Sequence, residues 1–325
     1  MNDRQAKYII AIAEEGSISK AADKLFITQP SLSQVLINIE KKYGLKLFSR
    51  SSHSMLLTEA GEKFVDSMRE MIQIERRLEQ HLQEISNEFV GKIIVGISAN
   101  KGLYVLPAVL PKFRQKFPKM DVKVFEEVSS VLEDSLLKKR IDLAVMNYQY
   151  IHSQLEYVNL PEEEMLLVVP ITHKLAEQCW KSSKSSARPS VVSLKQIANE
   201  PFIYLSPNHS ARSMVESMFQ SVGVRPPKVF ETANSPTAYA LVAAGVGITI
   251  LPDNFIRYMV PNMIPKKNCI HLHISDAFYR RKLAVCYPKA LSISRSMEYF
   301  ITLTHDALLD MHKKYDNEYH AISID

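Results

Sequence analysis

The sequence predicts a chain of two unlike parts: a small, mainly α winged helix-turn-helix with a long linker helix, then a larger α/β region of two lobes. Three observations predict it. Residues 16–40, GSISKAADKLFITQPSLSQVLINIE, read as two short helices broken by a tight turn. Phe64, Met68, Met71, Leu78, Leu82 and Ile85 hold a four-three spacing, with Glu75 the one polar interruption, which is the pattern of a heptad seam. After Phe89, strand-like and helix-like segments alternate, which predicts parallel sheets covered by helices on both faces. A length of 325 residues suits two or more domains, and an apolar share of 46% supports a sizeable core.

The second helix of the pair is entered through Thr28 and Pro30. Thr28 can cap its orphan amides, and Pro30 falls in the first turn, where a missing donor costs little. Leu32, Leu36, Ile39 and Tyr43 recur on one face, while Ser31, Gln34, Asn38 and Lys42 fall on the other. A helix anchored by an apolar stripe and showing hydrogen-bonding groups outward suits the major groove of DNA. The alternative is an ordinary amphipathic helix pair of some other domain. Tyr8, Ile9, Ile12 and Ala13 give a first helix an apolar face to pack under the pair. Residues 46–50 and 55–58 flank a polar turn, 51–54, and form a small wing on which Arg50 and His53 could approach phosphates.

One helix is expected from Ala60 to about Ser86, with Thr58 as cap and Glu59 and Glu62 at its positive end. It would be about 40 Å long, and its seam needs a cover, either a partner helix or its own domain. Pairing follows physically, because one winged module spans too few base pairs for useful affinity.

Beyond it, strands are expected at 93–97, 122–124 and 141–146, with helices over 103–116 and 131–139. The chain is expected to cross into a second lobe around 161–164, with strands at 166–170, 202–205, 229–232 and 248–251 and helices over 210–222 and up to Ala244. Segments 270–274 and 282–287 look like a return to the first lobe, closed by a helix over 295–313. Two such lobes make a cleft at the carboxyl ends of strands, where ligands gather. Ser98, Asn100 and Lys101, Ser129 and Ser130, Ser206, Asn208 and His209, and Thr232, Asn234 and Ser235 all follow strand ends. Gly245 and Gly247 let the backbone come close to a ligand. Each of these residues also reads as a simple cap or loop residue.

The words AIAEEGSISKAADKLFITQPSLSQ, IEKKYGLKLFSR and LTEAGE, in that order, make residues 1–63 resemble the DNA-binding domain of the LysR-type transcriptional regulators. KKRIDLAVM, MLLVVP followed by HKLA, EPFIYLSP and LVAAGVGITILP resemble, more loosely, the effector-binding domain of that family, which shares its shape with periplasmic solute-binding proteins. The resemblance implies a DNA-binding domain at 1–59, a linker and dimerisation helix at 60–88, and an effector domain at 89–325. In the last, a first lobe takes about 89–161 and 267–325 and a second about 162–266. It implies double-stranded operator DNA as partner, with Ser19, Lys20, Thr28, Gln29, Pro30, Ser31, Ser33, Gln34, Asn38, Arg50 and His53 as contacts. It also implies a small organic, anionic effector held by Ser98, Asn100, Lys101, Ser129, Ser130, Ser206, Asn208, Thr232, Ser235 and Gly247, and assembly as a homodimer or homotetramer. No cofactor is implied.

Other classes fit less well. The formal net charge of +5 is a mild excess that favours polyanions without demanding them. Cys179, Cys269 and Cys286 are scattered and odd in number, which fits a reducing cytoplasm and no disulfide framework. The first residues have no signal-peptide layout, and the apolar run 238–252 is interrupted by glycines and too short to span a membrane. An enzyme needs a nucleophile, base or metal constellation; His271 and His273 alternate on a strand, but a third ligand is not evident. A solute receptor without a DNA role would have no use for the winged module or the heptad helix. Three departures from the family stand out: Gln34, Val35, Ile37 and Asn38 occupy a helix on which relatives often carry arginine, residues 177–193 form a long Ser-rich basic stretch, and the tail after Lys314 lacks periodicity.

Overall fold

The computed structural model describes residues 3–50, 55–85, 89–177, 191–258, 268–275, 280–291 and 293–322. The chain divides into two compact units, Met1–Gly91 with Ser135–Arg140, and Lys92–Asp134 with Ile141–Asp325.

In the first unit α1 (Asp3–Glu15), α2 (Ile18–Lys24) and α3 (Gln29–Tyr43) enclose Ile9, Ile12, Ala21, Ala22, Leu32, Leu36 and Ile39. Ser17 caps α2 and Thr28 caps α3, its hydroxyl accepting the Ser31 N–H at 3.4 Å. Gly44 ends α3 in the left-handed conformation, at φ 68°. Strands β1 (Phe48–Arg50) and β2 (Met55–Leu57) pair antiparallel, Phe48 opposite Leu57, and form the expected wing. A buried carboxylate fastens it: Glu40 on α3 accepts the Leu47 and Phe48 N–H groups at 2.9 and 3.4 Å and pairs with Lys46 at 2.7 Å. Burial works to raise the pKa of Glu40, but Lys46 and the two amides hold it below the usual carboxylate range.

Helix α4 (Glu59–Ile85) starts where expected, with the Thr58 hydroxyl accepting the Gly61 N–H at 3.0 Å. Gly61 lies against the wing, where a Cβ would come within 2.0 Å of the Leu47 carbonyl oxygen. Two expectations need correcting here. Tyr43 is exposed rather than part of the buried stripe, with its ring edge-on to Phe64 at 5.6 Å. The seam is also not uniform. Met68 is buried and Phe64 packs on the core of its own module, whereas Ile74, Leu78 and Leu82 are each more than half exposed. The open stripe therefore runs through Ile74 at four-residue steps; the Ile85 side chain lies outside the described residues.

The second unit is built on a sheet ordered β4-β3-β5-β12-β6-β11-β7, with β10 also paired to β6. Its elements are β3 (Gly91–Ile97), α5 (Ala99–Lys116), β4 (Met120–Glu126), α6 (Ser129–Leu137), β5 (Leu143–Tyr148), β6 (Leu155–Pro170), β7 (Val191–Val192), β8 (Phe202–Leu205), α7 (Arg212–Val222), β9 (Lys228–Thr232), α8 (Ser235–Ala243), β10 (Thr249–Pro252), α9 (Asp253–Tyr258), β11 (Cys269–Ile274), β12 (Arg280–Pro288) and α10 (Arg295–Ile322). Strands β8 and β9 form a separate parallel pair. The expected parallel sheets prove mixed: β3 and β5 run parallel, but β12 is antiparallel to both β5 and β6, and β10 and β11 are antiparallel to β6.

The expected crossing at 161–164 is no break. One strand of 16 residues, β6, runs through it and serves both lobes. Pro161 is tolerated inside that strand because the β12 ladder is irregular there, between Arg281 and Leu283, so no N–H is missed. Nor does the chain return to the first lobe at 270–274. Strand β11 pairs with the far half of β6, and Cys269 and Leu272 join the second-lobe core of Leu167, Val169, Phe202, Phe219 and Ile250. The return comes with β12, beyond Ser275. Helix α10 continues past Lys314 to Ile322, so most of the tail is helical. The basic loop lies outside the described residues at 178–190. No described helix is long and apolar enough to cross a membrane.

Candidate functional site

Two surfaces gather the polar residues singled out from the sequence. On α3, Leu32, Leu36 and Ile39 are buried, which turns Ser31, Gln34 and Asn38 outward. Helical spacing then pairs the outward groups: Gln34 Nε2 donates to Asn38 Oδ1 at 2.9 Å, Gln29 Nε2 to Ser33 Oγ at 3.1 Å, and the Thr28 and Ser31 hydroxyls share a bond of 2.8 Å. Pro30 is exposed beside them, as are Ser19 and Lys20 on α2. The backbone of Arg50 is in β1 opposite Met55; its side chain, and the whole of His53, lie outside the described residues.

A residue that the sequence reading missed sits next to this face. A cavity of about 440 Å³ is lined by Arg4, Gln5 and Tyr8 of α1 and by Ile27, Thr28, Ser31 and Val35 at the start of α3. Arg4 Nε donates to the Tyr8 hydroxyl at 2.7 Å, and its guanidinium lies 5.5 Å from that ring's centre, so the head is held at the mouth. The four-residue Arg–Tyr spacing on α1 was the available signal. Phe26, in the turn before α3, is almost wholly exposed at φ 54°, a conformation that costs a non-glycine residue about 1–2 kcal/mol.

The second surface is a cleft in the larger unit, of about 290 Å³. Its floor is charged and buried. Glu163 on β6 stands opposite Arg281 on β12 in the ladder, and their head groups meet at 3.2 Å. Lys101, from the first turn of α5, reaches Glu163 at 3.4 Å. Asn147 on β5 joins all three: its Oδ1 accepts from Lys101 at 2.7 Å and from Arg281 at 2.6 Å, and its Nδ2 donates to Glu163 at 2.8 Å. None of the three charged side chains is more than 7% exposed. Burial lowers the pKa of Lys101 to about 8, against the pull of Glu163 and with the help of Arg281. Burial would raise that of Glu163, but the two cations and the amides of Asn147 and Asn254 take it down to about 2.

Second-lobe groups face this floor. Arg281 donates to Ser210 Oγ at 2.9 Å, and Asn100 Nδ2 to Ser235 Oγ at 3.3 Å, so both bonds cross the cleft. The Ala211 N–H donates to His209 Nδ1, which leaves Nε2 to carry the ring proton and donate to Ser235 Oγ at 3.1 Å. Burial, then the charges of Arg281 and Lys101, lower the His209 pKa to about 4 and keep the ring neutral. Ser98, at the start of α5, makes no capping bond with its side chain. Glu126 and Glu127, both exposed, also line the cleft.

Ser98, Asn100, Lys101 and Ser235 therefore line the cleft, as do His209 and Asn234. Lys101 is not the free cation at the mouth that the sequence suggested; it is buried in an ion pair. Ser129, Ser130, Ser206, Asn208, Thr232 and Gly247 do not line the cleft. Ser129 and Ser130 come just after Val128, the last residue of that loop to reach it. The Thr232 hydroxyl accepts the Asn234 N–H at 3.2 Å, and its carbonyl takes the Ser206 N–H, so these residues close the β8–β9 end. Asn208 is exposed, and a Cβ on Gly247 would meet the Pro201 carbonyl oxygen at 2.6 Å, so that glycine serves packing inside the second lobe. Glu163, Arg281, Ser210, Tyr104 and Phe255 were missed, because they come from scattered elements without a local motif.

His271 and His273 are committed to different partners, the Tyr239 hydroxyl at 2.9 Å and Glu164 at 2.6 Å. Cys269 and Cys286 are buried, and burial pushes both thiols up, that of Cys269 to about 11. Neither lines the cleft, and Cys179 lies outside the described residues.

Comparison with known proteins agrees with this arrangement. The pattern described as "Bacterial regulatory helix-turn-helix protein, lysR family" matches residues 4–62, and "LysR substrate binding domain" matches residues 86–309. An uncharacterised HTH-type transcriptional regulator of Bacillus subtilis, YcgK, is 30% identical over 95% of both chains. The dual regulator OxyR of Escherichia coli is 27% identical over 88% of this chain and 89% of its own. Among solved structures, a full-length OxyR variant from Pseudomonas aeruginosa superposes with a TM-score of 0.68 at 19% identity, covering 95% of this chain and 94% of that one. The LysR family regulator CbnR gives 0.59 at 20% identity, covering 95% and 99%. With helix-turn-helix and two-lobed domain matched in order along one chain, this protein belongs to the LysR family of transcriptional regulators, which bind DNA and small-molecule effectors and oligomerise.

Proposed function

We propose that this regulator reads its operator with Ser31, Gln34 and Asn38 in the major groove, while Lys20, Arg50 and Arg4 approach the phosphates beside it. Residues 1–59 would be the DNA-binding domain, 60–88 the pairing helix and 89–325 the effector domain. The exposed stripe Ile74, Leu78 and Leu82 supports a paired linker in a homodimer, itself half of a homotetramer. A protein of this kind acts in the cytoplasm and catalyses no reaction.

The effector is a small organic anion held in the cleft. One observation carries this: Lys101 and Arg281 are buried against the single carboxylate of Glu163, which leaves one positive charge under a ring of hydroxyl and amide donors. The bonds from Asn100 and Arg281 to the second lobe give the effector something to change, because a ligand inserted between those partners alters how the lobes close. It switches the protein only to the extent that it binds one arrangement better than the other.

Some relatives are named hydrogen peroxide-inducible genes activators, and that property does not carry over by resemblance. Thiol oxidation needs an accessible thiolate, and the two described cysteines are buried, with raised pKa values. The experiment is a footprint on DNA upstream of the protein's own coding sequence, across a salt series and with candidate anions or peroxide added. A protected near-palindrome whose extent changes with an organic anion supports the reading. A response to peroxide alone overturns the effector part, and sequence-blind binding overturns the operator part.

A further inference from the structure

The cleft is not uniformly positive. Its buried floor holds two cations and one carboxylate, a net of one positive charge in a site shielded from water, where charge counts for more than at the surface. Glu126 and Glu127 line the same cavity from the end of β4 and are exposed. Glu126 leans over the first turn of α5, its Oε1 only 3.1 Å from where a Cβ on Gly102 would stand. Among the described residues that line the cleft, Lys101 and Arg281 are the only cations, and both belong to the floor.

A ligand must satisfy both ends at once. A dianion would match its first charge to the floor and press its second against two carboxylates. A simple monoanion would gain the floor and nothing from the rim. A cation would gain the rim and face Lys101 and Arg281 inside. The volume of about 290 Å³ is at the low end for ligand cavities and favours a small molecule. We propose that the effector is a small zwitterion, an amino carboxylic acid, with its carboxylate on the Lys101–Arg281 floor and its ammonium group at Glu126 and Glu127. This rests on the cleft being the effector site, as argued above.

The test uses the full-length protein and titration calorimetry. The probes are the proteinogenic amino acids with β-alanine and 4-aminobutanoate, each set against its deaminated acid, together with succinate and glutarate. At least one amino acid is expected to bind tenfold or more tightly than its deaminated counterpart. In the double variant Glu126→Gln, Glu127→Gln that ratio should fall to near one, while the deaminated acid binds as before or better. Both substitutions are at exposed positions, so an unchanged melting temperature shows that the fold is intact. Deaminated acids or dicarboxylates binding as tightly as the amino acids would overturn the zwitterion and leave the anion-binding cleft standing. An amino-acid preference that survives in the double variant would also overturn it. If no probe binds the wild-type protein, the zwitterion and the anion-binding cleft fall together.

Discussion

The two polar surfaces solve opposite problems. On α3, Gln34 and Asn38 are exposed and satisfy each other through a bond that water or a base edge can replace at little cost. In the cleft, Lys101, Glu163 and Arg281 are buried, and none can lose its partners without leaving a charge stranded. The first surface is therefore tolerant in folding and demanding in recognition. The second is demanding in folding before any ligand arrives. Substitutions should separate the two, and the largest effect should fall on the cleft.

Removing the central carboxylate is the most severe way to break this contrast. Glu163→Ala leaves two cations facing each other in a buried site, and breaking such a pair costs about 3–5 kcal/mol. A fall of this size in unfolding free energy, by denaturant titration of the full chain, is expected. A cost under about 1 kcal/mol would mean that water reaches the floor and the comparison fails. The same carboxylate predicts an acid limit. Its folded pKa of about 2 lies below its ordinary value of 4.5, so the stability it contributes is present above pH 4.5 and is lost as pH falls towards 2.

Next in size is the loss of the base contact proposed for Gln34. Gln34→Ala should weaken binding to the cognate operator by about 1–3 kcal/mol and relax choice at one base pair, as a footprint series on point-mutated sites would show. The melting temperature should not change, since the side chain faces solvent. An unchanged operator preference would move the reading face elsewhere on the helix.

Lys101 sharpens the comparison without breaking it. Its pKa of about 8 is below the ordinary 10.5, so it loses its charge as pH rises through 8 while still folded. An anion beside it favours the charged form. Carboxylate affinity should hold steady below pH 8 and fall above it, by up to about tenfold per pH unit when one proton is fully coupled. Calorimetric titration from pH 6.5 to 9.5 reads this directly. A flat profile would place the carboxylate away from Lys101, and Lys101→Met should flatten it in any case.

The same contrast explains what could be read beforehand. The helix-turn-helix was legible because its instructions are local: Leu32, Leu36 and Ile39 at helical spacing set which side chains turn outward, and Thr28 marks where the helix begins. The wing followed from a polar turn between two short apolar pieces. The cleft is a product of topology. Glu163 and Arg281 are 118 residues apart and meet only because β12 runs antiparallel to β6, a pairing that strand–helix alternation does not specify. Strand-end residues were the right kind to look for, and Ser98, Asn100, Lys101 and Ser235 do line the cleft. Thr232 and Ser206 stand at strand ends too, but the Thr232 hydroxyl is spent on the Asn234 N–H and its carbonyl on the Ser206 N–H, which closes the β8–β9 end. The heptad pattern likewise held Phe64 and Met68 in one register with Leu78, although Phe64 packs on the core of its own module and Met68 is buried.

The smallest effect belongs to Arg4, which falls between the two surfaces in character: exposed like Gln34, yet oriented by a fixed partner like the residues of the floor. Tyr8 holds its guanidinium at a cavity bounded by Thr28 and Ser31, so a phosphate beside the start of α3 would find a charge already in place. A phosphate contact carries no sequence information. Arg4→Gln should therefore weaken cognate and scrambled DNA alike and reduce the slope of log affinity against log salt by about 0.9, the release of one counterion. Tyr8→Phe should produce part of that loss with the slope unchanged, since the charge remains but its placement relaxes. A change in base preference from Arg4→Gln would instead bring α1 into the groove itself and extend the reading surface beyond α3.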